Sequence, residues 1–272
     1  MPFLTHSNVE LFFTDSGGTG PPILLLHGWA CDSHDWSFQI PFLVSLGMRV
    51  IALDHRGHGR SSIPTSVDLY KMQDFVGDVV ALINHIDAGP VILMPHSMST
   101  IISSLVAVEH PDLVKALVLV HPIYGAAPPQ LRTMGETLQK EPGKAVSTVI
   151  NFFSALMYTP NTPLWLKTWQ LRRLEGCHPA MLAGCVAGLV DLFGTVMGSG
   201  EVEKTFMRRR KGPRFVMCTL PQAKPWEDEV GVGQEDVVWE MQEGVFSHMV
   251  ESDKFNEELG RWLTNRGLAA HQ

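Results

Sequence analysis

The sequence predicts an α/β fold, a doubly wound and mostly parallel sheet with helices on both faces. Two observations carry this. Short, wholly apolar runs alternate along the chain with longer runs of helical periodicity. Strands buried on both faces read as continuous apolar runs, as here, whereas half-buried strands alternate. A third observation concerns organisation: the strand–helix rhythm stops in the middle of the chain and then resumes, so the interruption is an insertion into one sheet. With 272 residues, length alone allows one large domain or two small ones.

Ile23 to Leu26 is the first buried strand, ending at His27-Gly28, and Trp36 to Leu46 reads as an amphipathic helix. Arg49 to Leu53 is a second strand, followed by Asp54 and a Gly-rich loop. Tyr70 to Ile86 carries Phe75, Val79, Leu82, Ile83 and Ile86 at helical spacing. Val91 to Met94 is a third strand. Met98 to Glu109 is a helix that stops before Pro111, where a prolyl ring disfavours continuation. Ala116 to His121 is a fourth strand. Right-handed crossovers between such strands give the doubly wound arrangement. From Ile123 to Lys211 there are helical segments rich in Pro, Trp, Phe and Met, and no convincing strand. Arg214 to Thr219 and Asp236 to Met241 are strands again, and Asp253 to Arg266 is a closing helix. The expected division is a core of residues 1–122 and 212–272, with 123–211 as an inserted helical cap.

Hydrophobic residues make up 45% and charged residues 18%, against a usual charged share of about 25%. Either the surface is short of charge or the buried fraction is large, and a disordered chain is excluded. The 28 acidic residues outnumber the 21 basic ones, for a net charge of −7. That excludes a broad basic footprint for nucleic acid or an anionic membrane. The one basic run, Arg208 to Lys211, reads as a solvated loop. The four cysteines, Cys31, Cys177, Cys185 and Cys218, have no CxxC spacing, which speaks against a disulfide scaffold or a zinc site. Cys177 and Cys185 read as free buried thiols. There is no signal-peptide pattern and no uncharged apolar run of about 18 residues. The expectation is a cytoplasmic protein acting on a small molecule, with no metal and no cofactor. A homodimer stays open.

Ligands of open parallel sheets bind at the carboxyl ends of the strands, and three motifs fall there. Pro95-His96-Ser97-Met98-Ser99 lies between a strand and a helix. A Ser at such an apex sits in a strained turn with its Oγ pushed over the sheet edge, the nucleophile elbow. The bland alternative is a Ser capping the helix that begins at Met98. His27-Gly28-Trp29 follows another strand, and the backbone amides of Trp29 and Met98 are the candidate oxyanion donors. Asp54-His55-Arg56-Gly57-His58-Gly59-Arg60-Ser61 reads as a structural loop beside the site.

These motifs in this order resemble the α/β-hydrolase superfamily, over residues 21–122 and 212–266. The resemblance implies a sheet of that type, a helical cap after the sixth strand, and a Ser97 nucleophile of the esterase or lactonase kind. Haloalkane dehalogenases and epoxide hydrolases place an Asp at the elbow. The run His27 to Asp32 is also similar to cofactor-independent ring-cleaving dioxygenases of quinolone type. The superfamily's base is a His in a G-H-F-x-x-x-x-x-P-x-x-F-N run before the closing helix. Aligned without gaps on Gly244 and Phe255-Asn256, that His falls on Val245. A local shift of two or three residues makes His248 the base, the assignment favoured here. The usual acid position after the seventh strand is Gln222, and the alternative position at the end of the sixth strand holds His121. An extended loop would bring Asp228 or Glu227 to the Nδ1 of His248; Asp228 is named as the acid, with Asp32 as another possibility.

The cap carries Phe152, Phe153, Met157, Tyr158, Trp165, Trp169, Met181 and Phe193. Most of such a set is core, and Phe153, Tyr158 and Trp165 are the expected substrate contacts. Apolar walls suit an aromatic or polyketide-like molecule. The expected function is hydrolysis of a small apolar ester or lactone. Two alternatives stay open. One is a non-hydrolytic lyase, cyclase or cofactor-free oxygenase, with His248 or His121 abstracting a proton and Ser97 holding the substrate. The other is a ligand-binding protein without catalysis.

Overall fold

A computed structural model describes residues 2–125, 128–241 and 244–269. One sheet of eight strands runs through it in the order β1-β2-β4-β3-β5-β6-β7-β8. The strands are β1 (Phe3–His6), β2 (Val9–Asp15), β3 (Pro22–Leu26), β4 (Arg49–Leu53), β5 (Val91–Pro95), β6 (Val114–Val120), β7 (Arg214–Cys218) and β8 (Val237–Glu240). From β4 to β8 every pairing is parallel, while β1 and β2 pair antiparallel at one edge. That edge was not anticipated. β1 alternates exposed and half-buried residues, and β2 ends exposed, so neither presents the continuous apolar run that marks the inner strands.

Successive side chains of a strand point to opposite faces, and the core divides accordingly. Leu24, Leu26, Ile51 and Leu93 pack on one face with α2 (Met72–His85) and α3 (Met98–Glu109). Ile23, Leu25, Val50 and Ile92 pack on the other with Leu43 of a short helix, Gln39–Ser45, and with Phe255 and Leu259 of the closing helix, Ser252–Asn265. The sequence places one helix over Trp36 to Leu46. The chain instead makes a 3-10 turn at Ser33–Trp36 and then the Gln39–Ser45 helix. The break has a cause: Asp32 caps the turn, accepting from the His34 amide at 3.0 Å, and Trp36 is driven into the core.

Between β6 and β7 the described residues form five α-helices, Pro128–Lys140, Ala145–Phe152, Leu164–Glu175, Pro179–Val190 and Glu201–Met207. β6 and β7 nonetheless pair directly, so this segment interrupts the sequence and not the sheet.

The loop from Asp54 to Ser61 is a buried brace. The Asp54 carboxylate accepts the Ser33 amide at 2.8 Å and the Arg60 amide at 2.9 Å. Gly59, at φ +53°, is required here, because a Cβ would stand 2.2 Å from Asp54 Oδ2. Arg56 reaches away from the sheet edge to Asp78 of α2, with bonds of 2.7 and 2.8 Å.

Candidate active site

Ser97 joins β5 to α3 with φ 51° and ψ −118°, a conformation that L-residues pay strain to adopt. Its amide donates to Val120 O at 2.9 Å, which pins the apex to the end of β6. Ser97 makes no side-chain capping bond to α3, so the helix-cap reading of this residue does not hold. The neighbouring loop comes very close: a Cβ on Gly28 would meet Ser97 Cβ at 3.2 Å and His96 Nδ1 at 2.9 Å. Met98 is the first residue of α3, so its amide has no acceptor one turn earlier in the helix.

Ser99, where a glycine is usual in the resemblance, is fully buried. Its hydroxyl donates to His27 O at 2.5 Å and accepts from His55 Nε2 at 2.8 Å. The side chain therefore ties the elbow to both flanking loops. Its partners lie 72 and 44 residues away, which is why sequence reasoning could judge only its size.

The elbow opens on a cavity of about 330 Å³. Ser97, His96 and His121 are on its floor, and Trp29, Phe152, Phe153, Met157 and Phe246 are among the apolar walls. Cys31 also faces it, and burial pushes that thiol's pKa up, so it is neutral. Burial likewise pushes His96 down to about 4 and His121 down to about 3. Both rings are uncharged at neutral pH.

Of the expected substrate contacts, Phe153 lines this cavity. Tyr158 and Trp165 do not. Tyr158 lines a separate depression beside Lys167, whose ammonium sits 5.8 Å from its ring centroid. Trp165 is 42% exposed and packs on Phe38 and Trp169. The helical period that suggested all three could not say which side of each helix would face inward.

The expected triad partners also fall elsewhere. His248 is fully buried behind His96, with ring centroids 4.6 Å apart, and rests on Trp36. Among the described residues neither of its ring nitrogens has a hydrogen-bond partner, and burial holds its pKa well below the usual value. In that loop it is Val245 and Phe246, and not His248, that line the cavity, and the Val245 carbonyl accepts from His96 Nε2 at 2.8 Å. Asp228 is on the surface of a helix, Ala223–Val230, paired with Lys224 at 2.8 Å. It is therefore not the partner of His248 Nδ1. Asp32 is bound to Arg173 at 3.0 Å.

Cys31, Asp35 and His96 bring possible ligand atoms within 4.8 Å of one another. Asp35, however, is already paired with Arg173 at 2.7 Å, and that guanidinium opposes a cation beside it. No helix among the described residues is long and apolar enough to cross a membrane.

A strained Ser at a strand–helix apex, on the carboxyl edge of a parallel sheet, defines the class to which the chain is then matched. A family profile described as alpha/beta hydrolase fold covers residues 21–171. The chain belongs to the α/β-hydrolase fold family. It is 42% identical over 98 residues to a non-heme haloperoxidase of Rhodococcus erythropolis, which is 36% of this chain and 35% of that one. It is 39% identical over 103 residues to epoxide hydrolase 3 of Siraitia grosvenorii, 38% of this chain and 33% of the other. The match thus spans about a third of the length of these curated relatives. Among solved structures, the enol-lactonase from Burkholderia xenovorans LB400 superposes with TM-score 0.80 at 17% identity, covering 97% of this chain and 100% of that one. A thermophilic esterase from Thermogutta terrifontis superposes with TM-score 0.82 at 19% identity, covering 99% and 98%. At such identities the likeness is one of fold.

Proposed function

We propose that the protein hydrolyses a small apolar ester or lactone, with Ser97 as nucleophile. The observation that carries this reading is the backbone of Ser97, held in a left-handed conformation at the floor of a mostly apolar cavity. Strain of this kind costs about 1–3 kcal/mol and persists where the surroundings over-determine it. A hydroxyl at the elbow attacks an acyl carbon. The amides of Trp29 and Met98 are the donors for the oxyanion that forms. The helices between β6 and β7 act as a cap: Phe152, Phe153 and Met157 supply an apolar roof, which favours aromatic or alkyl acyl groups over sugars and charged peptides.

The test is covalent labelling. A fluorophosphonate probe should modify Ser97 in the native protein, and Ser97→Ala should lose both labelling and hydrolysis of p-nitrophenyl esters. Absence of labelling, together with no hydrolysis at any acyl length, would refute the reading. Val245 stands where the resemblance puts the family's base, and this favours a second reading, proton abstraction by a histidine with Ser97 only holding the substrate. Turnover of a substrate that survives Ser97→Ala would select it.

A further inference from the structure

We infer that His121 is the general base for Ser97, with its ring held in orientation by the hydroxyl of Thr219. The inference rests on Ser97 being the nucleophile, and replaces the base position that Val245 occupies.

Three neighbouring strand ends place these residues in a row. His96 bridges Val120 in parallel register, and the Ser97 amide donates to Val120 O at 2.9 Å. The next residue, just past the end of β6, is His121, so Ser97 and His121 follow directly on paired positions. The His121 amide donates in turn to Met217 O at 2.9 Å, and Thr219 is two residues further along the β7 edge. His121 and Ser97 both line the cavity. Both also have positive φ, 52° and 51°. Two adjacent strand ends that each hold a non-glycine residue in the left-handed region are a costly arrangement. Sheet continuation does not require it, because β6 has already ended at Val120.

Three histidine rings cluster at the elbow, and among the described residues only His121 has a ring nitrogen that is neither hydrogen-bonded nor fully buried. Among the described residues both nitrogens of His248 are buried without a partner, as is His96 Nδ1, while His96 Nε2 is engaged by Val245 O. His121 Nδ1 is hydrogen-bonded to Thr219 Oγ1. Its Nε2 has no hydrogen-bond partner among the described residues, and the residue lines the cavity. With the proton on Nδ1 and Thr219 Oγ1 as acceptor, Nε2 carries the lone pair that a base needs. Thr219 does here, without charge, the orienting work of the family's carboxylate.

The steps balance. His121 Nε2 takes the Ser97 hydroxyl proton as Oγ bonds to the acyl carbon, and the carbonyl electrons move onto oxygen. The ester C–O bond then breaks, and the leaving oxygen takes that proton from Nε2. Water attacks the acyl-Ser97 carbon and gives its proton to Nε2. The bond to Oγ breaks, the acid leaves, and Ser97 recovers the proton.

The experiment compares rates of fluorophosphonate labelling and of p-nitrophenyl butyrate turnover. His121→Asn is the variant of choice, since Asn tolerates positive φ and cannot act as a base. It should slow labelling by about 10²-fold or more. Thr219→Val should lower kcat at least about tenfold with KM little changed, and Thr219→Ser should restore it, because only the hydroxyl is needed. Labelling of His121→Asn at the wild-type rate overturns the inference, as does equal behaviour of the two Thr219 variants. A His96→Asn variant that loses labelling while His121→Asn keeps it also overturns it. If His121→Asn does not fold, the Thr219 pair decides alone. Failure of the wild-type protein to be labelled at all counts instead against Ser97 as nucleophile.

Discussion

Acidification from pH 7 to pH 5 should remove several kcal/mol of folding stability, well before most carboxylates titrate. The cause is a set of histidines buried in their neutral form. His58 and His121 are pushed down to about 3 and His96 to about 4, in each case first by burial. The hydrogen bonds fix single neutral tautomers. His58 Nε2 accepts the Ala30 amide at 3.2 Å, while Nδ1 donates to Arg56 O at 2.8 Å. His27 Nε2 accepts the His55 amide at 3.0 Å, while Nδ1 donates to Gly28 O at 2.8 Å. A second proton on either ring would break an amide bond and strand a charge. The unfolded chain takes up protons near pH 6.5 and the folded chain does not until about 3–4. Stability is therefore complete above about pH 7 and falls as pH drops through that window. With three such groups the slope near pH 5 is about 4 kcal/mol per pH unit. His27, His55 and His248, also shifted down, steepen it. Against a usual total of about 5–15 kcal/mol, the midpoint of urea unfolding should drop sharply between pH 7 and pH 5. An unchanged midpoint would mean that these rings take protons in the folded state.

The inner strands and the two long helices were legible because burial on both faces writes itself into the chain. Arg49–Leu53 and Met98–Glu109 have the same limits in the sequence reading and in the structure. The antiparallel edge was missed because its strands are half-exposed, and composition there resembles a loop. The split at Ser37 and Phe38 was missed because periodicity does not register a side chain cap such as that of Asp32.

At the site, the elbow was legible because its geometry is local. The strand, the apex and the helix are consecutive, and the strained φ belongs to one residue. The partners of Ser97 are not local, and the superfamily pattern misled where the chain departs from it. The ungapped alignment put Val245 in the base position, and it is Val245 that faces the cavity. Shifting the alignment to reach His248 preserved a residue type at the expense of register. His121 was visible as the occupant of an acid position, but its positive φ and its bond to Thr219 depend on β6 and β7 being neighbours across 98 residues of sequence.

Replacing Glu227 should destabilise the fold far more than replacing Asp228, although sequence proximity made both acids candidates for the same role. Glu227 is fully buried among two arginines and a tyrosine. It accepts from Arg210 Nη2 at 3.1 and 3.2 Å and from Arg214 Nη1 at 3.1 Å, and the Tyr124 hydroxyl donates to it. Arg214 is shared with Asp236 at 2.6 Å, so two carboxylates balance two guanidiniums. Glu227→Ala leaves this group one positive charge in excess with its donors unpaired, away from solvent. Breaking a buried pair on one side typically costs about 3–5 kcal/mol. Arg210 is the residue most affected, because its side chain is fully buried and Glu227 is its carboxylate partner. Asp228 is exposed on the same helix and pairs with Lys224, an exposed pair whose loss is expected to be hard to detect. Urea unfolding of the two variants at pH 7.5 measures the difference. Equal midpoints would show that the Glu227 cluster relaxes or hydrates when opened, and that the segment joining Glu201–Met207 to β7 is held by its apolar contacts alone.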